Sequence, residues 1–374
     1  MNFTFLDHKP VFDINGDIRW YSTSSTLQSF THLENGHYLF TYTIDDEPNN
    51  VVMEEDLLGK IYAIYNIPDG VQHDFAELPN GNLLATTQDP ASKTIEDSII
   101  EIDRTNGDIV RSFDLKNYLD DNRQNEIGLS PLDWLHINSI VYDTNDQSII
   151  FSSRAQSAVI KMSYPSMKIQ WILGPHDHWT SQYQPYLLNP VGDNFEWQWS
   201  QHDASILSEG NINGDEIIDI LLFDNGNYRS FDVNTALSPE DSYSRIVLYQ
   251  IDETNRTVKQ LWEYGKERGS DLFSISRGSA YLLGNGNYLG DWAEIVTGED
   301  GSPIVGPSNS ITVHSEIIEV DPSNNQVVFE ARINAMNYRT FRANLYDGYS
   351  VDNTGLSTKL NDTTTMDLAQ EILP

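Results

Sequence analysis

The chain contains no cysteine, which excludes disulfides, thiolate metal sites and a cysteine nucleophile and leaves any chemistry to other side chains. Positive charge is scarce: 22 Lys and Arg stand against 56 Asp and Glu in 374 residues, a net charge of −34. A nucleic acid or an anionic membrane surface needs a basic face, so neither is expected as a partner. Anionic small molecules are repelled at long range too, so an anion site would need its own basic cluster, screened from the rest over roughly a Debye length of ~8 Å. Long apolar runs are missing: nothing approaches the ~20 residues of a membrane span. The opening MNFTFLDHKP lacks the basic region and apolar core of a signal peptide, so the chain as given reads as soluble. Helical periodicity is almost absent as well.

What is present is repetition. Leu-x-Asn-Gly-[Asn/His]-x-Leu occurs as LENGHYL at 33–39, LPNGNLL at 78–84 and LGNGNYL at 283–289. Asn-Gly between apolar runs predicts a hairpin whose two central residues both have φ > 0. A second pattern, strand–polar turn–strand, occurs as IIEIDRTNGDIV at 99–110, VIKMSYPSMKIQW at 159–171, VLYQIDETNRTVKQLW at 247–262 and IIEVDPSNNQVVFE at 317–330, with a partial copy, VFDINGDIRW, at 11–20. An all-β array of hairpins follows, either solenoid or propeller, and four-stranded blades of ~40–50 residues plus loops favour the propeller. His73, His136 and His202 recur at intervals of 63 and 66 residues, near one per blade for about six blades. The partial copy at 11–20 is the expected closing strand. No linker divides the chain, so 1–350 is expected to be a single propeller with a central channel, and the polar 351–374 a C-terminal strap or tail.

Chemistry concentrates in 133–154, DWLHINSIVYDTNDQSIIFSSR. Read as a hairpin, it points Trp134, His136 and Asn138 the same way on one strand and brings back Arg154 after a polar turn at 144–147. An imidazole and a guanidinium on one wall make a receptor for a tetrahedral oxyanion; the plainer reading is an edge histidine and a surface arginine. His73 sits in Gln72-His73-Asp74 and His202 in Gln201-His202-Asp203. Asp203 is not expected to pair with His202, because neighbours on a strand face opposite ways. His176-Asp177-His178 does not by itself make a metal site, and the Asp/Asn-rich 210–227 lacks calcium-loop spacing, so no metal and no cofactor is expected.

With DWLHINS at 133–139, SSR at 152–154, WILG at 171–174, QHD at 201–203, LFDNGN at 222–227, YSRIVLYQID at 243–252 and WEYG at 262–265, the chain resembles, from about 11 to about 346, the bacterial arylsulfotransferases that do not use the nucleotide sulfate donor (PAPS). The resemblance implies a six-bladed β-propeller with a sulfuryl-transfer site at one end of its channel. It implies that His202 is the nucleophile that becomes a sulfohistidine, that His73, His136 and Arg154 surround the transferred group, and that Asn138 lines the same pocket. The implied partners are a small-molecule phenolic sulfate donor and a phenol acceptor, exchanged in ping-pong fashion; a homodimer is left open. Better-known members carry a separate N-terminal β domain and are exported, so a periplasmic or extracellular location is implied, while the missing signal peptide leaves the cytoplasm open.

The chemistry fits the residues. Sulfuryl transfer, like phosphoryl transfer, gathers charge on peripheral oxygens and the leaving group, which positioned cations stabilise. Imidazole can serve as nucleophile and as acid or base near neutrality. Trp199, with Trp197, is a candidate wall for an aromatic ring, or packs between blades. Two alternatives remain. An aryl sulfate hydrolase would use water as acceptor, although the Cys/Ser-x-Pro-x-Arg segment of the familiar sulfatases is missing. A non-enzymatic propeller would bind glycan or protein partners, since fold alone does not choose.

Overall fold

Asparagine-glycine turns set the local geometry. In the computed structural model, which describes residues 10–21, 30–44, 47–67, 69–88, 91–123, 125–207, 216–305 and 311–342, Gly36, Gly81 and Gly286 have φ of 84°, 87° and 85°. Each donates its amide to the leucine three residues earlier, at 2.9, 2.8 and 2.9 Å. The asparagines before them are not left-handed, so these loops end in a glycine bulge instead of forming the two-residue turn expected from Asn-Gly. The reason is local: each asparagine oxygen accepts the amide two residues on, at His37 (2.9 Å), Asn82 (3.0 Å) and Asn287 (3.1 Å).

The two sequence patterns interlock. Side-chain amides of the first pattern donate to a buried glutamate of the adjacent blade strand: Asn35 to Glu54 at 3.0 Å, Asn82 to Glu101 at 2.7 Å, Asn285 and Asn287 to Glu319 at 2.9 and 2.7 Å. Each carboxylate also meets an arginine, Arg104, Arg111 and Arg342 in turn. Burial works against ionising Glu54, but Arg104, His37 and Asn35 hold its pKa down to about 2. The repeat thus encodes a buried, fully bonded charge in three blades.

Five sheets form a propeller-like ring. The first blade comprises Phe30–His32, Tyr38–Ile44, Glu47–Glu55 and Ile61–Asn66; the second Phe75–Glu77, Leu83–Thr87, Ser98–Ile102 and Ile109–Asp114. The third comprises Ile137–Asp143, Ser148–Ser153, Ala158–Ser163 and Ile169–Leu173. The fourth comprises His202–Ile206, Ile217–Asp224, Arg245–Asp252 and Thr257–Tyr264, with Asn189–Val191 added parallel to its outer strand. The fifth comprises Ser279–Leu282, Tyr288–Gly298, Ile311–Asp321 and Gln326–Ile333.

The cores lie between blades. Leu83 and Ala85 pack with the first blade, whereas Leu84 packs with the third; Ile149 and Phe151 face the second blade, Ile150 the fourth. Leu221 and Phe223 join the fifth blade, Ile220 and Leu222 the third. Middle strands such as Ser148–Ser153 are therefore buried at every position, because both faces of a blade are covered.

Among the described residues five complete blades are found, not six. The sixth sheet among the described residues is the two-stranded hairpin Pro10–Phe12 with Ile18–Tyr21. Phe12 packs on Leu283, Leu289 and Ile317 of the fifth blade, and Trp20 Nε1 donates to Leu57 O beside the first blade at 2.6 Å. The hairpin therefore touches both ends of the series, while the flanking 1–9 and 22–29, and the expected strap at 351–374, lie outside the described residues. Among the described residues no helix is long and apolar enough to cross a membrane.

Candidate active site

The first strands of the second, third and fourth blades lie at sheet edges and pack against one another. His73 stands two residues before its strand, His136 one residue before, and His202 opens its own. The ring centroids of His73 and His136 are 5.0 Å apart, those of His136 and His202 6.5 Å. Non-glycine residues with left-handed backbone gather here: His73 (φ 62°), Glu96 (56°), His136 (52°), Asp203 (55°) and Arg277 (61°). Each costs of order 1 kcal/mol or more, a strain that the packed surroundings must hold.

That backbone overturns the alternation expected through 134–138. Regular pairing begins only at Ile137 and is offset by a bulge before Ser139. Trp134 turns into the core between the second and third blades and donates from Nε1 to Asp97 at 2.7 Å. Asn138 is fully buried and donates from Nδ2 to Gln201 O at 2.7 Å, bracing the segment that carries His202. Asp203 turns away from His202 and faces Arg339, with Oδ1 3.4 Å from Nε.

His202 Nδ1 lies 2.7 Å from Asn225 Oδ1. Asn225 Nδ2 donates to the carbonyls of Ser274 and Arg277, both at 2.9 Å, so its oxygen accepts. With the amide assigned this way, His202 carries its proton on Nδ1 and offers Nε2 as a lone pair, which accepts the Arg277 backbone N–H at 3.2 Å. Burial, together with the charges of Arg154 and His136, holds its pKa well below the ordinary imidazole value.

His136 is the opposite case. Its Nδ1 stands 2.8 Å from Asp133 Oδ2 and 2.9 Å from Glu96 Oε2. Burial disfavours the imidazolium, but the two carboxylates prevail and its pKa is pushed up to about 9. Glu96, despite burial, is held far below the usual carboxylate range by His73 and His136. A folded-state pKa above the unfolded value of about 6.5 gives a stability contribution that is complete below that pH and lost as pH rises through about 9. Thermal melts from pH 6 to 10 should fall more steeply for the native chain than for His136→Asn; equal slopes would contradict the pairing.

Arg154 turns its Nε and Nη2 edge to Glu126, at 3.2 and 3.4 Å. Asn227 Nδ2 also donates to Glu126, at 2.9 Å. Trp199, with Trp197, Arg229 and Tyr243, lines a cavity of about 510 Å³ whose lining includes none of His73, His136, Arg154 and His202. His73, Glu96 and His136 are the group among the described residues whose donor atoms lie close enough for a metal ion, within 4.8 Å of one another. The Glu96 oxygen is already at hydrogen-bond distance from both imidazoles, and we assign no metal there.

Several residues at the site had no sequence signal of their own. Glu96 lies in an unremarked loop, and Tyr338 and Arg339 come from the segment after the last strand, Tyr338 OH reaching His73 Nδ1 at 2.7 Å. Asn225 could have been found within LFDNGN. Its neighbour Gly226 has φ 76°, and a Cβ there would overlap the Tyr243 carbonyl oxygen and stand 2.6 Å from Arg229 Nη2. Gly226→Ala should therefore cost about 2–4 kcal/mol from strain and overpacking, measurable as a lower urea midpoint at unchanged m; a loss under about 1 kcal/mol would show that the turn can relax.

Among solved structures, a protein from Lactobacillus plantarum superposes with a TM-score of 0.46 at 9% identity, over 87% of this chain and 90% of that one; nothing about function follows from that likeness. Two curated relatives, each named arylsulfate sulfotransferase AssT, come from Escherichia coli O6:H1 (strain CFT073) and Lelliottia amnigena. Both are 28% identical over 389 aligned residues, covering 85% of this chain and 62% of the relative. The chain thus spans less than two thirds of the length of these relatives. The model of the arylsulfotransferase (ASST) family matches residues 1–342, and the chain belongs to that family.

Proposed function

We propose that the protein is an aryl-sulfate sulfotransferase that moves a sulfuryl group from a phenolic sulfate ester to an acceptor phenol through a sulfohistidine. The observation that carries this reading is the pairing of two histidines in opposite states. His202 is neutral, with its proton fixed on Nδ1 by Asn225, and His136 is an imidazolium held by Asp133 and Glu96. A nucleophile needs the first state and a general acid the second.

The lone pair on His202 Nε2 attacks sulfur, for which the 3.2 Å contact with the Arg277 amide must yield. The N–S bond forms as the bond from sulfur to the phenolic oxygen breaks, and the departing phenoxide takes a proton from His136. In the second half, neutral His136 removes the proton of the acceptor phenol, whose oxygen attacks sulfur. The N–S bond breaks and its electron pair returns to Nε2. Arg154, close enough for its charge to depress the pKa of His202, stabilises the sulfuryl oxygens. Because its Nε–Nη2 edge is held by Glu126, its remaining amino group is the one that faces the oxyanion. A lysine could not keep both contacts.

The hairpin at 10–21, in contact with the fifth and first blades, belongs on this reading to a sixth blade of one propeller domain. The test is to supply an aryl sulfate with a chromogenic phenol, with and without an acceptor phenol. Phenol release that depends on acceptor, with sulfated acceptor as product, is expected. Equal release without acceptor would make the chain a hydrolase, and no release under either condition would refute catalysis on aryl sulfates.

A further inference from the structure

One carboxylate oxygen joins two of the three histidines. Glu96 Oε2 lies 3.0 Å from His73 Nε2 and 2.9 Å from His136 Nδ1. The other nitrogen of His73, Nδ1, is 2.7 Å from the Tyr338 hydroxyl, and the two rings stack with centroids 5.7 Å apart. Both nitrogens of His73 therefore have protein partners, and neither is left to hold a sulfuryl oxygen. A continuous chain runs from Tyr338 through His73 and Glu96 to His136, whose Nε2 is the nitrogen still able to reach substrate. Glu96 stands in left-handed backbone, φ 56°, a strain that would not persist unless this placement were overdetermined.

We infer that Glu96 is a positioning residue, the shared counter-ion that orients His136 and keeps it protonated for departure of the phenol, and that His73 acts by holding Glu96 instead of touching the transferred group. The inference rests on the sulfotransferase reading for its consequence and on the geometry alone for the protonation. The groups bearing on His136 are Glu96 and Asp133 as anions and His73 and His202 as neighbouring rings, with Arg154 a cation beside His202. Asp133 also bonds Nδ1, so loss of Glu96 should weaken the imidazolium without releasing the ring.

The experiment is an NMR titration of the histidine C2–H signals in the full chain, with His136 assigned by its disappearance in His136→Asn. In the native protein its midpoint is expected well above that of an ordinary imidazole. In Glu96→Gln it should fall by at least a pH unit, and in Glu96→Asp it should lie between. Transfer from donors whose phenol is a poor leaving group should then drop by about 10²-fold in Glu96→Gln, while donors with a good leaving group change little. Tyr338→Phe, which removes only the far end of the chain, should move the midpoint less.

A native midpoint at or below the ordinary imidazole value overturns the inference whether or not either variant folds. So does an unmoved midpoint in folded Glu96→Gln, or a loss of transfer equal for good and poor leaving groups. Midpoints that move as expected in a protein without transfer activity would leave the role of Glu96 standing and refute the enzymatic reading instead.

Discussion

His202→Asn is expected to abolish sulfuryl transfer, by on the order of 10⁴-fold or more, and to abolish labelling of the protein by donor. Asparagine is close to histidine in shape and can keep a hydrogen bond to Asn225, so the fold should survive. Its amide nitrogen, however, carries no nucleophilic lone pair. The native chain, treated with an aryl sulfate without acceptor at neutral or mildly alkaline pH, should gain one SO₃ on the peptide that contains His202. Varying donor and acceptor together should give parallel double-reciprocal lines, because each half-reaction finishes before the second phenol binds. His136→Asn should behave differently, slowing transfer most for donors with a poor leaving group. A label found reproducibly on His73 or His136, or intersecting lines in an active enzyme, would sink the assignment of the nucleophile.

Much of the scaffold was legible because its repeats are local. The Leu-x-Asn-Gly segments specify turns, and in three blades their side chains meet a buried glutamate of the same blade, while odd and even residues sort to opposite faces of a strand. The turn type was misread because Asn35, Asn80 and Asn285 bond to backbone two residues on, an interaction that pattern matching to Asn-Gly does not include. The number of full blades was inferred from histidine spacing, which reports the second to fourth blades only. At the site, His73, His136 and His202 were legible as three similar settings at similar intervals. Glu96, Tyr338 and Arg339 were not: Glu96 sits in a loop of the second blade, Tyr338 and Arg339 follow the last strand, and neither segment has periodicity. Tyr338 meets His73 across 265 positions of sequence. Between Trp199 and His202 the backbone turns at Ser200, φ 53°, and the Trp199 ring meets Phe231 with centroids 5.0 Å apart.

The Gln-His-Asp triplets at 72–74 and 201–203 have a meaning that neither copy reveals alone. In each, histidine faces the site and aspartate faces the opposite way, to a single buried guanidinium. Arg339 Nη1 lies 3.0 Å from Asp74 Oδ1, its Nε 3.4 Å from Asp203 Oδ1, and its Nη2 donates to Asn138 O at 2.5 Å. Each aspartate also accepts a backbone amide from the following blade, Ile140 at 2.9 Å and Ala280 at 3.2 Å. Arg339 thus ties the second, third and fourth blades together behind the histidines, and its side chain is 11% exposed. Arg339→Met keeps most of the volume but leaves two buried carboxylates without their cation, which should cost about 3–5 kcal/mol at neutral pH. Burial already raises the pKa of Asp203 in the native chain. In the variant, folded-state values above the unfolded ones penalise the folded state as pH rises, so the deficit should shrink on acidification toward the unfolded carboxylate range. Adding Asp74→Asn and Asp203→Asn should recover much of the loss, since a neutral cluster buries no unpaired charge. Urea unfolding of the single and triple variants at pH 5 and 7.5 measures all three effects. A loss below about 1 kcal/mol in Arg339→Met, or one independent of pH, would mean that Arg339 does not carry the clasp.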